Sequence, residues 1–377
     1  MAPLSLLMTA VLLAGPVPPS PPKLVVDKVW IALGEGPQGP ASNKEMRVKL
    51  NTDVRLYLVV EARVDGKRKT FTEAPALRKG RRTVKNLAPW PKALGKLDVA
   101  WFKLEADPLD NGVYDNTGTM EKAWHPVERQ DHPARWHWCP IDYVESELEW
   151  HSAWQGKADA KPTTTTDYKG LGTMRYVARV RYKDPRGRKA EVWSPGKGHR
   201  DKAGLKRGIA TVRFRRDDTP VGYMTELLNV PYVYGSSSLS GGDRNHQAER
   251  GVGADCADLV VYGWRRAGKK SQGYTWTGGL KTRSKRRVWV TSLENGRYRD
   301  GEGKPIAFGK QVRVGDMLLW DRHVAVLATR DPSGYLTPDT EIIHTVIESA
   351  ALIPLRQIGF GFDTPPFDIR RAKWEKK

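Results

Sequence analysis

From residue 23 to about residue 219 the chain contains no long run with helical periodicity. It holds short runs dense in β-branched and aromatic residues instead. Residues 24–31 (LVVDKVWI) and 54–62 (VRLYLVVEA) are two of them, and residues 174–182 (MRYVARVRY) alternate apolar with basic side chains over most of their length. A period of two suits a strand with one wet face. Asp65-Gly66, Asp110-Asn111-Gly112 and Pro185-Arg186-Gly187 punctuate the runs as turns. This pattern predicts a sandwich-like, mostly-β module. One more strand-like run, residues 210–215, precedes Asp217-Asp218-Thr219-Pro220, where the pattern changes. A chain of 377 residues is expected to hold more than one core. The reading is therefore a β-rich domain over 23–219 and a second domain over 220–377.

Ahead of them, residues 3–15 are apolar but too short to span a bilayer, and 16–22 are Pro-rich. Residues 1–22 read as a signal peptide with a Pro-rich tail. Pro16 stands where a lipoprotein would carry its lipidated Cys, so export without a lipid anchor is expected. The expected location is periplasmic, cell-envelope or extracellular. No later segment is long and apolar enough for a membrane helix.

The 63 Lys and Arg outnumber the 43 Asp and Glu, leaving a formal charge of +20. Such a surface attracts polyanions. Export favours an anionic envelope over nucleic acid, and no nucleic-acid motif accompanies the basic run 281–287. Peptidoglycan or another cell-envelope polymer is the expected partner. Most of the 14 Trp precede residue 194; they suit a sandwich core or a glycan-binding face.

The second domain carries one amphipathic segment, Asp255-Cys256-Ala257-Asp258-Leu259-Val260-Val261-Tyr262-Gly263-Trp264-Arg265-Arg266-Ala267-Gly268. Cys256, Leu259, Val260, Gly263, Trp264 and Ala267 fall on one helical face. Asp255 suits the N-cap, Asp258 the N3 position of a capping box, and Gly268 the stop. Cys256 thus opens the helix, where the dipole and free N–H groups favour a thiolate. The competing readings of Cys256 are a small buried hydrophobe or a disulfide with Cys139, the other cysteine.

Downstream, residues 312–327 (VRVGDMLLWDRHVAVL) read as strand, turn, strand, with His323 opening the second strand. A third strand, 341–347, carries His344. If these two strands pair, His344 reaches His323. A nucleophile, a base and a group that orients the base would then be present.

The order Pro-Tyr-x-Tyr-Gly at 231–235, Asp-Cys-x-x-Leu-Val at 255–260, Val-Gly-Asp-Met-Leu-Leu at 314–319, His-Val-Ala-Val at 323–326 and Ile-His at 343–344 resembles the NlpC-type cysteine peptidases. The resemblance covers about residues 221–374. It implies an α+β, papain-like hydrolase domain cutting amide bonds in peptidoglycan stem peptides, with no cofactor and no metal. Position by position it makes Cys256 the nucleophile, His323 the general base and His344 the residue that orients the base. The Cys256 N–H would help hold the oxyanion, and Tyr232 and Asp255 match positions near the substrate cleft. Ala257-Asp258 replace the Ser-Gly usual after the family's Cys. The loop 236–254 and the interval between the two histidines are longer than usual.

Two further signals rank lower. His125, His132, His137 and Cys139 have the residue types of a zinc site, but their spacing fits no zinc pattern and an aromatic loop is the better reading. Residues 236–242 (SSSLSGG) lack the Gly-Lys-Ser/Thr ending of a phosphate loop. The rival to the enzyme is a non-catalytic binding protein of the cell envelope, glycan or anionic polymer, with a degenerate hydrolase domain.

Overall fold

The fold is that of a computed structural model in which residues 23–84, 87–107, 113–117, 139–184, 186–195, 205–238 and 242–374 are described. The expected signal segment, His125, His132 and His137, and part of the 236–242 loop lie outside the described residues. Among the described residues no helix is long and apolar enough to cross a membrane.

Among the described residues the molecule is mostly β, with 43% in strands and 12% helical. This corrects the α+β, papain-like class expected above. The reason lies in how little of the chain carries helical spacing. Cys256–Arg266 is the one described α-helix of about three turns, while Pro220–Met224, Gln247–Arg250 and Thr277–Thr282 are much shorter. The basic run 281–287 spans the end of the short Thr277–Thr282 helix and the start of an eleven-residue strand, Ser284–Glu294.

Before residue 216, two sheets pack face to face. The first is built on the antiparallel pair Leu24–Glu35 and Val54–Val64, in register at Trp30 and Val59. The second has the order Tyr143–Glu147, Asp98–Ala106, Gly172–Lys183, Ala210–Arg215 and Met46–Lys49. Val29, Ile31, Leu56 and Leu58 of the first share a core with Met174, Tyr176, Ala178, Val212 and Phe214 of the second. Alternation supplies this inward face.

The opposite face of the second sheet is where expectation and structure part. Residues 174–182 were expected to wet one face, yet Gly172 to Ala178 are buried on both. The C-terminal part of the chain covers that face. Val177 packs with Val233 and Val252, Thr173 Oγ1 donates to the Glu226 carbonyl at 2.5 Å, and Arg175 donates to the Gly251 carbonyl. Arg213 is fully buried; it meets Glu45 at 2.7 Å and donates to Tyr262 Oη at 3.1 Å and the Glu249 carbonyl at 2.8 Å. A buried guanidinium persists only when satisfied in this way. The basic alternation therefore marks an internal polar interface, and Tyr114–Asp115 pairs in parallel with Val233–Tyr234 across it.

The third sheet runs Arg297–Asp300, Ser284–Glu294, Phe367–Ala372, Met317–Leu319, Val324–Leu327, Glu341–His344 and Ala351–Pro354, antiparallel throughout. Met317, Leu319, Val324, Val326 and Ile343 take Leu259 and Val260 of the Cys256 helix on one face. Leu318, Leu327, Ile342 and Ile369 build a second core on the other. Helix and sheet together place the candidate site at their common edge.

Candidate active site

Sequence spacing fixes the start of the helix. Asp255 has extended backbone and its carboxylate accepts from the N–H groups of Ala257 and Asp258 at 2.9 Å each. The Asp258 carboxylate reaches back to the Asp255 N–H at 3.2 Å, closing the capping box, and also accepts from Ser236 Oγ. No acceptor among the described residues takes the Cys256 N–H. On the buried face a Cβ at Gly263 would stand 2.5 Å from the Pro220 carbonyl oxygen, so only glycine lets the helix seat there. Tyr262, hydrogen-bonded to Glu226, and Arg265, on Glu249 at 2.7 Å and Asp243 at 2.8 Å, fix its other turns.

The expected base follows the turn between Met317–Leu319 and Val324–Leu327. That hairpin is anchored by Asp316, fully buried, which takes a two-pronged contact from Arg371 at 2.6 and 2.7 Å. At the other end the Trp320 N–H donates to the His323 carbonyl at 3.0 Å. The strand carrying His344 pairs with this hairpin, Val326 opposite Ile343. His344 Nδ1 consequently lies 3.3 Å from His323 Nε2, with both rings buried. Trp320 and Phe362 stack on the His323 ring at centroid distances of 5.7 and 4.7 Å.

The residues singled out from sequence converge. A cavity of about 290 Å³ is lined by Tyr232, Asp255, Cys256 and His323, with Trp276 and Phe362. The Val324 N–H, one residue past the imidazole, is directed at the Cys256 sulfur. His344 stands behind His323 and outside the cavity lining. Tyr232 is held beside the helix start by its bridge to Ala254. Cys139 and Cys256 are not joined in a disulfide, so that reading does not hold. Cys139 is buried elsewhere, beside Tyr114 and Val233, and among the described residues no cluster of His, Cys, Asp or Glu is suited to a metal.

The electrostatics differ from the expectation. Burial pushes the Cys256 thiol up, Asp255 and then Asp258 add to that, and the Val324 N–H pulls the other way. Desolvation and two carboxyls thus outweigh the helix end. Burial drives His323 well below the usual imidazole range, with His344 adding to it, and lowers His344 to about 4. Asp255 is raised to about 6 by burial. Asp258 is also raised, by burial and by Asp255. His246, lowered to about 4 by burial, lies 3.7 Å from Asp258 and stacks on Tyr274 at 3.6 Å. These shifts favour the neutral thiol and the neutral imidazole.

Sequence reasoning missed Trp276, Phe362 and the Val324 N–H. Trp276 is 73% exposed at the rim of the cavity. Phe362 sits in Gly359-Phe360-Gly361-Phe362, and two phenylalanines in a glycine-rich turn are a legible signal of a surface aromatic patch. The chain matches no family model, no curated protein and no solved structure.

Proposed function

We propose that this protein is a thiol hydrolase that cleaves amide bonds, with peptidoglycan stem peptides as its substrate class, as in the NlpC-type peptidases it resembles in sequence. The observation that carries the reading is the shared cavity. Cys256 at a helix start and His323 line it together, and the far nitrogen of His323 is engaged by His344.

In this reading His323 Nε2 carries the proton and donates it to His344 Nδ1, which leaves Nδ1 as the basic nitrogen. A thiol raised by burial and an imidazole lowered by burial do not form a stable ion pair before substrate binds. The thiol proton passes to His323 Nδ1 as sulfur attacks the carbonyl carbon, and the imidazolium then protonates the leaving amine. The unclaimed Cys256 N–H, beside the attacking atom, is a donor for the oxyanion. Water then releases the acyl group with His323 again as base.

The buried, raised thiol also favours a second reading, a non-catalytic binding protein of the cell envelope. One experiment separates the two. Purified peptidoglycan is incubated with the protein and with its Cys256→Ser variant, and the soluble fragments are analysed by mass spectrometry. New free amine and carboxyl termini with the parent alone support hydrolysis. Identical fragments from both, or none from either, sink it.

A further inference from the structure

Next to the Cys256 pocket lies a larger cavity of about 620 Å³, and the two share Tyr232 and Ile347 as common lining. One wall of the larger cavity comes from the third sheet's side, residues 347–351. The other comes from the first half of the chain, as Thr164, Thr165, Thr166 and Tyr168, with Asp107 nearby. The threonine wall is built and clamped. The Glu105 carboxylate, buried, accepts from the N–H groups of Thr163 and Thr164 at 2.6 and 2.9 Å and from their hydroxyls at 2.9 and 3.0 Å. Those bonds hold its pKa below the usual carboxylate range despite burial. Asn229 braces the same loop, accepting from Thr165 Oγ1 at 3.4 Å and donating to the Ala160 carbonyl at 3.4 Å.

Ile347, on the ridge between the cavities, has φ of +61°. A β-branched residue in the left-handed region is strained, and such strain persists only where surrounding structure imposes it. Here it stands in the lining that both cavities share. Among the described residues the polar lining of the larger cavity is hydroxyls and the carboxylates of Asp107 and Glu348, with no Lys or Arg. That surface accepts hydrogen bonds more than it donates charge-assisted ones, and it suits a chain of amide N–H groups or an amine.

We propose that the larger cavity is a substrate subsite, built jointly by both halves of the chain, that holds the donor-rich peptide segment remote from the bond cleaved at Cys256. The proposal deepens the thiol-hydrolase reading and rests on it for the identity of the occupant. Binding energy gained at a remote subsite is realised at the reacting centre, so blocking it lowers kcat as well as raising KM.

The test uses the full chain and a synthetic stem tetrapeptide, L-Ala–γ-D-Glu–L-Lys–D-Ala. Ser349 lines the cavity away from Cys256; Ser349→Trp fills it, and Glu348→Trp, from an exposed position, fills it by a route that spares the core. In the Cys256→Ala background, tetrapeptide affinity by calorimetry should fall about ten-fold or more with either tryptophan. In the active protein, kcat/KM for the tetrapeptide should fall about ten-fold more than for a small acyl anilide that reaches the Cys256 pocket alone. Unchanged affinity in both tryptophan variants, or no tetrapeptide binding by Cys256→Ala, overturns the subsite. Retained, tryptophan-sensitive binding without turnover by the parent sinks the hydrolase reading and leaves the subsite standing.

Discussion

Replacing His344 tests the proposed catalytic geometry most directly. His323 is 1% exposed, and the contact from its Nε2 to His344 Nδ1 at 3.3 Å is the one side-chain hydrogen bond its ring makes among the described residues. His344→Ala leaves that nitrogen buried without a partner, which costs about 1–3 kcal/mol of stability. It also frees the ring to rotate or to change tautomer. If Nδ1 takes the proton, the nitrogen that serves as base in the proposed mechanism can no longer do so, and general-base catalysis of about a hundred-fold or more is lost. His344→Asn restores an acceptor, the amide oxygen, near the position of Nδ1. Asn orients the base in papain-like proteases, so this variant should keep activity within about ten-fold of the parent. The assay is the rate of stem-peptide cleavage for parent, His344→Ala and His344→Asn, with near-ultraviolet circular dichroism to confirm packing. A purely structural role would not distinguish the two variants once both are folded. Equal rates for His344→Ala and the parent refute the assignment, and His344 is then a strand residue.

Arg213→Ala should destabilise the protein by about 1–3 kcal/mol in urea unfolding, because it leaves the Glu249 carbonyl and Tyr262 Oη with one partner fewer on the covered sheet face, while Glu45 keeps Arg47; a loss under about 0.5 kcal/mol would show the network to be dispensable. Asp255, raised to about 6, is neutral and tolerated below its unfolded pKa and loses that advantage as pH rises through the folded value. Asp255→Asn keeps the cap and should therefore gain on the parent by up to ~3 kcal/mol between pH 4 and pH 7 in denaturant titrations; a difference that shrinks with rising pH contradicts the assignment. His344 and His246, lowered to about 4, act in the opposite sense, with stability present above their unfolded pKa and lost as pH falls toward the folded one. Asp258→Asn should lower the apparent pKa of Cys256 in iodoacetamide alkylation followed against pH, since that carboxyl is one of two raising it; an unchanged profile would remove Asp258 from the electrostatics of the thiol.

Much of the local structure was legible because short-range rules govern it. Asp255 and Asp258 specified a capping box and Gly268 a helix stop, and the helix begins at Cys256 and ends at Arg266 as that spacing dictates. The order of strands around His323 and His344 followed from apolar runs and turns, and their pairing brought the rings together. What tertiary structure alone decided depends on which faces meet. Alternation at residues 174–182 indicates a strand but is silent on what covers its basic face; Arg175 is buried because Gly251 lies over it. The class of the whole molecule was misjudged for a related reason. One eleven-residue helix was legible, but the proportion of strand around it emerges only when Ser284–Glu294 and Phe367–Ala372 pair over long sequence separation. The direction of the thiol's shift also escaped the sequence. A helix start favours the thiolate locally, whereas desolvation of the thiol and its closeness to Asp255 and Asp258 are set by packing, and burial is the larger effect here.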